Sequence, residues 1–345
     1  MSAFASGSNL VHLVLLRVAA RAAAAIALAA IAVLPHRALA DASVPAASVA
    51  AAASHQVIDY DWTDQSRSRA VPVRLYWPST PDAGTAVPLV VFSHGIGGSR
   101  RGYSYLGQHL AAHGIACLHL QHVGSDRDLW FGNPFGMIGR LWNAANEREV
   151  IDRVRDLGFA LDQLLGHTQF GRQLDRERIA AAGHSYGANT VMLASGARLQ
   201  RGGQTVELRD PRIKAALLIS APPFYGEENL AQILASLTLP SLHITATEDV
   251  IRIPGYYSPA SDRLAVFDAT GSPAKALAVF EGGSHSMFTD RAGTGGVMLN
   301  PLVKSATKEL ALAFLRSVFD GKDDGMQQWP QHHSDLIARW VRRGP

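Results

Sequence analysis

The chain has 345 residues, 47% of them hydrophobic, enough for one large α/β domain or two small domains with a sizeable core, and too apolar for long disorder. A single cysteine, Cys117, excludes an internal disulfide framework, and its place in the apolar run from Ile115 to Leu120 reads as core. Lys and Arg total 32 against 29 acidic residues, but three of the cations (Arg17, Arg21, Arg37) lie in the first forty residues; without them the charges balance, and nucleic-acid binding is not expected.

Residues 1–40 carry no Asp or Glu and hold an apolar run, Ala22 to Leu34, too short to span a bilayer comfortably. Ala38-Leu39-Ala40 then offers a small-x-small cleavage site before Asp41. This describes a secretory signal peptide, with a retained anchor as the alternative, so the chain is expected to be exported, periplasmic or secreted, with no stable membrane span once mature. Residues 41–55 read as a linker, 56–320 as the folded domain and 321–345 as a C-terminal tail, either a docked helix or a loose extension.

Strand patterns begin near Gln56. Val71 to Pro78 alternates like a half-buried antiparallel strand, and Pro88 to Gly95 is a continuous apolar run like a buried parallel one. A helix over Tyr103 to His113 stops at Gly114, and Ile115 to Gln121 is the next strand. The stretch 122–145 lacks periodicity and is rich in Gly, Trp and Phe, as caps and binding loops often are; Trp130 and Phe131, with Phe135 and Trp142, are its candidate substrate contacts, ordinary cap core being the alternative. A long amphipathic helix follows from Glu147 to Leu165, with Val150, Val154, Leu157, Leu161 and Leu164 on one face. Further strands are expected at Ile179–Gly183, Ile213–Ser220, Ser241–Thr247 and Ala276–Glu281, and helices at Ala188–Ala197, Leu230–Leu237 and Leu302–Phe319. The alternation predicts an α/β protein with a mostly parallel sheet covered on both faces.

Gly183-His184-Ser185-Tyr186-Gly187 lies between a strand and a helix, the setting a nucleophile elbow requires. Glycines two residues to either side leave room for the crossing backbone, and the helix start directs N–H groups toward developing charge. A serine hydroxyl needs a base. In the chain order serine, acid, histidine, His285 fits best, in a glycine-rich loop after the last strand. His243 lies inside a strand, and His332 and His333 lie in the tail. Glu248 and Asp249 end an earlier strand and are the candidate acids, with Asp262, Asp268 and Asp290 more distant candidates. The amides of Tyr186 and, in Ser93-His94-Gly95-Ile96-Gly97-Gly98, of Ile96 are the candidate oxyanion donors. His94 is expected to be a structural hydrogen-bonder. No metal-ligand spacing is present.

From about Gln56 to Phe319 the chain resembles the α/β-hydrolase superfamily. The run from Pro88 to His122, with its Ser-His-Gly and Tyr-x-x-Leu-Gly signatures, the Gly-His-Ser-x-Gly-Ala elbow and the late Gly-x-Ser-His, is similar to the platelet-activating-factor acetylhydrolase and predicted dienelactone-hydrolase group. Polyester-cleaving lipase and cutinase relatives share much of it. The resemblance implies a central sheet flanked by helices with a small cap, Ser185 as nucleophile, Asp249 as acid, His285 as base, and Ile96 and Tyr186 as oxyanion donors. It also implies hydrolysis of a small-molecule or lipid carboxylic ester through an acyl-enzyme, with no cofactor. Dienelactone hydrolases proper use cysteine, which this elbow replaces with serine.

Overall fold

A computed structural model describes residues 55–79, 85–253 and 256–344. The expected leader, and all but the end of the expected linker, lie outside the described residues. Nine strands form the main sheet: β1 (His55–Asp64), β2 (Arg69–Pro78), β3 (Val87–Ser93), β4 (Ala116–Leu120), β5 (Leu174–His184), β8 (Ala215–Ile219), β9 (Ser241–Ala246), β12 (Lys275–Phe280) and β13 (Ile337–Arg343). Their spatial order is β1-β2-β4-β3-β5-β8-β9-β12-β13. From β4 to β12 every neighbouring pair is parallel; β1, β2 and β13 are antiparallel to their neighbours. The expected mostly parallel sheet flanked by helices, an α/β-hydrolase fold, is therefore present.

The two-residue side-chain period explains why the parallel strands read as unbroken apolar runs. Leu89, Val91, Ala181 and Leu218 face one core, against Leu157 and Leu161 of the helix α3 (Glu147–Leu165) and Val191 of α4 (Tyr186–Ala194). Val90, Phe92, Ala182 and Leu217 face the other, against Leu106 of α1 (Ser104–Ala112) and Leu310 and Phe314 of α7 (Leu299–Asp320). Parallel strands point their carboxyl ends the same way, so the loops after β3, β5, β9 and β12 share one edge of the sheet.

The insertion is compact: two 3₁₀ turns (Arg127–Trp130 and Pro134–Gly136) lead into the short helix α2 (Met137–Ala144). Two small hairpins, β6–β7 (Arg198–Arg201, Gln204–Glu207) and β10–β11 (Ile251–Ile253, Tyr256–Ser258), and the helices α5 (Leu230–Leu234) and α6 (Ser261–Ala269) complete the body.

The C-terminal residues from 321 pack onto the domain as a helix and a strand. Helix α8 (Asp324–His332) buries Trp329, whose indole N–H donates to the Ala306 carbonyl at 2.9 Å. The chain then returns as β13, antiparallel to β12 with Val341 opposite Leu277 and Trp340 opposite Ala278. Arg342 clamps Asp323 through two 2.6 Å bonds, closing the loop. Residues 321–344 are thus part of the sheet domain. Among the described residues, no helix is long and apolar enough to cross a membrane.

Candidate active site

Gly183 and Ser185 lie at the end of β5, and α4 starts one residue on. Ser185 has φ 54° and ψ −120°, a left-handed-side conformation that a non-glycine residue rarely holds. The strain is enforced by packing. A Cβ on Gly187 would collide with the Ser93 carbonyl, 2.6 Å from its carbon and 2.8 Å from the His94 oxygen. A Cβ on Gly183 would lie 2.8 Å from the Ala188 nitrogen. Both glycines of the motif are therefore needed because β3, β5 and α4 cross at van der Waals distance.

The structure brings the three expected residues together. Ser185 Oγ lies 2.7 Å from His285 Nε2, and His285 Nδ1 lies 2.6 Å from Asp249 Oδ1. A carboxylate only accepts, so Nδ1–H donates to Asp249 and Nε2 is left to accept the Ser185 hydroxyl proton. Asp249 is fully buried. Burial alone would raise its pKa. The His285 hydrogen bond and charge, with the Arg263 guanidinium 3.5 Å away, outweigh that and hold the carboxyl well below the usual carboxylate range. Thr245 Oγ1 donates to its other oxygen at 2.7 Å. Glu248, one residue earlier, is exposed and takes no part in this path.

Neither the Ile96 nor the Tyr186 amide donates to a protein acceptor among the described residues, and both residues line the cavity that reaches Ser185. His94 acts structurally: Nδ1 donates to the Gly95 carbonyl at 2.7 Å and Nε2 accepts the His122 amide at 3.1 Å. His243 is a buried strand residue packed edge-on against Phe267.

A cavity of about 390 Å³ opens beside Ser185. Its wall is mainly apolar, with Leu141, Val150, Leu199, Val206, Phe224 and Ile251 among its lining residues. Aromatic rings chain along it, Trp142 against Tyr225 at 6.0 Å and Tyr225 against Tyr256 at 5.6 Å. Arg201 of β7's partner strand ties together Glu147 (3.0 Å) and Glu227 (2.6 Å), also in the wall.

The aromatics of the insertion that were expected to contact substrate take different positions. Trp142 and Leu141 line the cavity; Trp130 and Phe131 do not. Trp130 spends its indole N–H on the Gly97 carbonyl at 2.9 Å, and its ring fills the space a Cβ on Gly97 would need. Phe131 is exposed, with the Arg127 guanidinium over its ring. Trp130 therefore braces the loop carrying Ile96, and Trp142 is the aromatic of the insertion that lines the cavity. Sequence reasoning also missed the wall from Pro222 to Tyr225 and that of Ile251, Ile253 and Tyr256, although their positions after β8 and β9 put them on the carboxyl edge.

A second Ser–His–Asp path lies beneath the first. Ser93 Oγ is 2.9 Å from His122 Nε2, and His122 Nδ1 is 3.0 Å from Asp156 Oδ2. All three are sealed from solvent, and Arg153 donates to Ser93 Oγ at 3.0 Å, to Ser125 Oγ at 2.8 Å, to Thr190 and to the His94 carbonyl. Connectivity alone does not distinguish the two paths. Access does: Ser185 borders the cavity, whereas Ser93 is fully buried. Among the described residues, no cluster of three His, Cys, Asp or Glu could hold a metal ion.

A family model described as platelet-activating factor acetylhydrolase, isoform II, matches residues 66–128, from β2 through the Ile96 loop to the first turn of the insertion. The chain resembles the platelet-activating factor acetylhydrolase group of α/β hydrolases. The platelet-activating factor acetylhydrolase of Cavia porcellus is 24% identical over 308 residues, covering 75% of this chain and 64% of that protein. That of Canis lupus familiaris is 29% identical over 150 residues, 34% of each chain, and that of Bos taurus 28% over 148. The chain thus spans less than two thirds of the length of these curated relatives.

Proposed function

We propose that this chain is a serine hydrolase that cleaves carboxylic esters, taking short acyl or acetyl esters, those of lipids included, through an acyl-enzyme on Ser185. The observation that carries the reading is the continuous path Ser185–His285–Asp249 beside an apolar cavity and two unengaged amides. Ser185 Oγ attacks the ester carbonyl while His285 Nε2 takes its proton, and buried Asp249 holds the tautomer and stabilises the imidazolium. The Ile96 and Tyr186 amides receive the oxyanion, one such donor being worth about 2.7–4 kcal/mol elsewhere. Collapse expels the alcohol, which leaves with the proton held by His285. Water then repeats the sequence on the acyl-enzyme. Every step uses side chains and amides of the chain itself.

The relatives' shared name, platelet-activating factor acetylhydrolase, supports an ester of this class. A polyester or triglyceride hydrolase is the second reading, favoured by a cavity of about 390 Å³ with apolar walls, larger than an acetyl group requires. A non-catalytic binding role would leave the strained Ser185 backbone and its aligned base without purpose. Assay of p-nitrophenyl esters of increasing chain length tests the reading: activity peaking at acetyl supports the first form, a peak at long acyl groups the second, and no turnover with any ester overturns both. Export, with cleavage after Ala40, belongs to the same proposal; mature protein from the native host should begin at Asp41, and an intact Met1 terminus in the cytosol would contradict it.

A further inference from the structure

The proposed chemistry leaves two polar side chains beside the site without a role. Tyr103 and His184 are both buried. His184 Nε2 lies 3.0 Å from the His285 carbonyl, and its Nδ1 lies 2.8 Å from Tyr103 Oη. The Gly95 amide donates to Tyr103 Oη at 3.3 Å. A carbonyl only accepts, so His184 Nε2 carries a proton. Burial pulls the His184 pKa down to about 3, so the ring is neutral and Nδ1 is an acceptor. Tyr103 therefore donates to His184 and accepts from Gly95. The direction of every bond is fixed: Gly95 N–H to Tyr103, Tyr103 O–H to His184, His184 N–H to the His285 carbonyl.

Resting on the reading of Ser185 above, we propose that Tyr103 and His184 are positioning residues, forming a one-way hydrogen-bond path that locks the loop of the Ile96 amide to the loop of the base His285. The two ends of the path are the two parts of the site that must keep register with Ser185 during reaction. One supplies an oxyanion donor and the other takes the proton. They come from opposite sides of the elbow, after β3 and after β12, two strands that share no neighbour in the sheet.

Two independent features of the backbone accommodate the path. Tyr103 has φ 59° and ψ 30°, the left-handed region that bulky residues avoid. The chain thus holds a tyrosine at a position suited to glycine, and the strained backbone carries its ring against Phe92 (4.6 Å between centroids) and its hydroxyl to His184. Gly95, at the other end, leaves little room for a side chain: a Cβ there would stand 3.0 Å from His184 Nδ1 and 3.3 Å from Tyr103 Oη. The His184 ring also packs 4.8 Å from the His285 ring, so a displaced His184 releases the base from two sides.

Tyr103→Phe and His184→Gln test this. Both remove the Tyr103–His184 bond, from opposite ends; His184→Gln keeps an N–H for the His285 carbonyl. Each is expected to lower kcat about 10- to 100-fold, the cost of a misplacement near 1 Å, with KM within about threefold. Because the two changes break one bond, the double variant should be no slower than the slower single one. Losses that multiply, or a rise in KM with kcat unchanged, would overturn the path. Ser185→Ala, run alongside, separates the two ideas: if it is inactive while Tyr103→Phe and His184→Gln turn over at the parental rate, only the path is wrong, whereas an active Ser185→Ala removes the reading of the site itself. Should a variant fail to fold, side-chain ¹⁵N shifts of the intact protein decide: an Nε2–H tautomer at His184 supports the path, and an Nδ1–H tautomer refutes it.

Discussion

Replacing glycine by alanine at two positions of this chain should have opposite effects. At Gly187 the added Cβ meets the Ser93 carbonyl carbon at 2.6 Å and the His94 oxygen at 2.8 Å. Neither can retreat. Ser93 is paired to Gly183 in the parallel ladder between β3 and β5, and the His94 carbonyl is held by Arg153. Relieving the overlap must move the elbow and the Ile96 loop apart. Overpacking of this kind costs about 1–3 kcal/mol, and a shift near 1 Å between nucleophile and oxyanion donor costs roughly 100-fold in rate. At Gly139, inside α2, an added Cβ meets nothing within 4 Å. Helix propensity then dominates, and the change should be neutral or stabilise by up to about 1 kcal/mol. Thermal unfolding and kcat/KM on p-nitrophenyl acetate read both effects. Gly187→Ala should lower Tm and nearly abolish turnover, while Gly139→Ala keeps both. A Gly187→Ala protein with parental Tm and turnover within about twofold of the parent would refute the steric account of the elbow.

Other perturbations follow from the same geometry. Arg153→Leu strips donors from Ser93, Ser125, Thr190 and the His94 carbonyl, and should destabilise by about 3–5 kcal/mol, seen as a lower urea midpoint. Asp249→Asn should cripple turnover and Glu248→Gln should barely change it; the reverse ranking would move the acid to Glu248. Burial lowers His119, His122, His184 and His243 from 6.5 to about 3, so the unfolded chain takes up protons there that the folded chain refuses. Stability should therefore fall as pH drops from about 6.5 toward 3, by up to about 1.4 kcal/mol per pH unit for each histidine, and a urea midpoint equal at pH 7.5 and pH 5 would contradict it. Trp142→Ala should change the ratio of kcat/KM between acetyl and longer esters, since Trp142 lines the cavity; an equal loss on every ester would remove it as a specificity element.

The parallel core was legible in the sequence because strands buried on both faces leave long apolar runs, as in β3 and β8. Ser185 and His285 were legible because a strained turn and a loop free to reach across the sheet both demand glycines at fixed offsets. What escaped depends on long-range pairing. The pattern of β13 alternates arginines with Ile337, Trp340 and Val341 and resembles a loose cationic end until β12 supplies its partner. The second serine path joins Ser93, His122 and Asp156, which no local spacing connects. Trp130 and Trp142 look alike in sequence; only the three-dimensional position of Gly97 decides that one braces a loop and the other faces the cavity.

Acylation of Ser185 during turnover is the step on which the proposed function stands. Acid-quenching the protein within the first turnovers of p-nitrophenyl acetate, followed by peptide mass spectrometry, tests it most directly. An acetyl group is expected on Ser185 and absent from Ser185→Ala, which should lose roughly 10³-fold or more in kcat with its fold intact. An unmodified Ser185 in a protein that turns the ester over, with Ser185→Ala equally active, would contradict it.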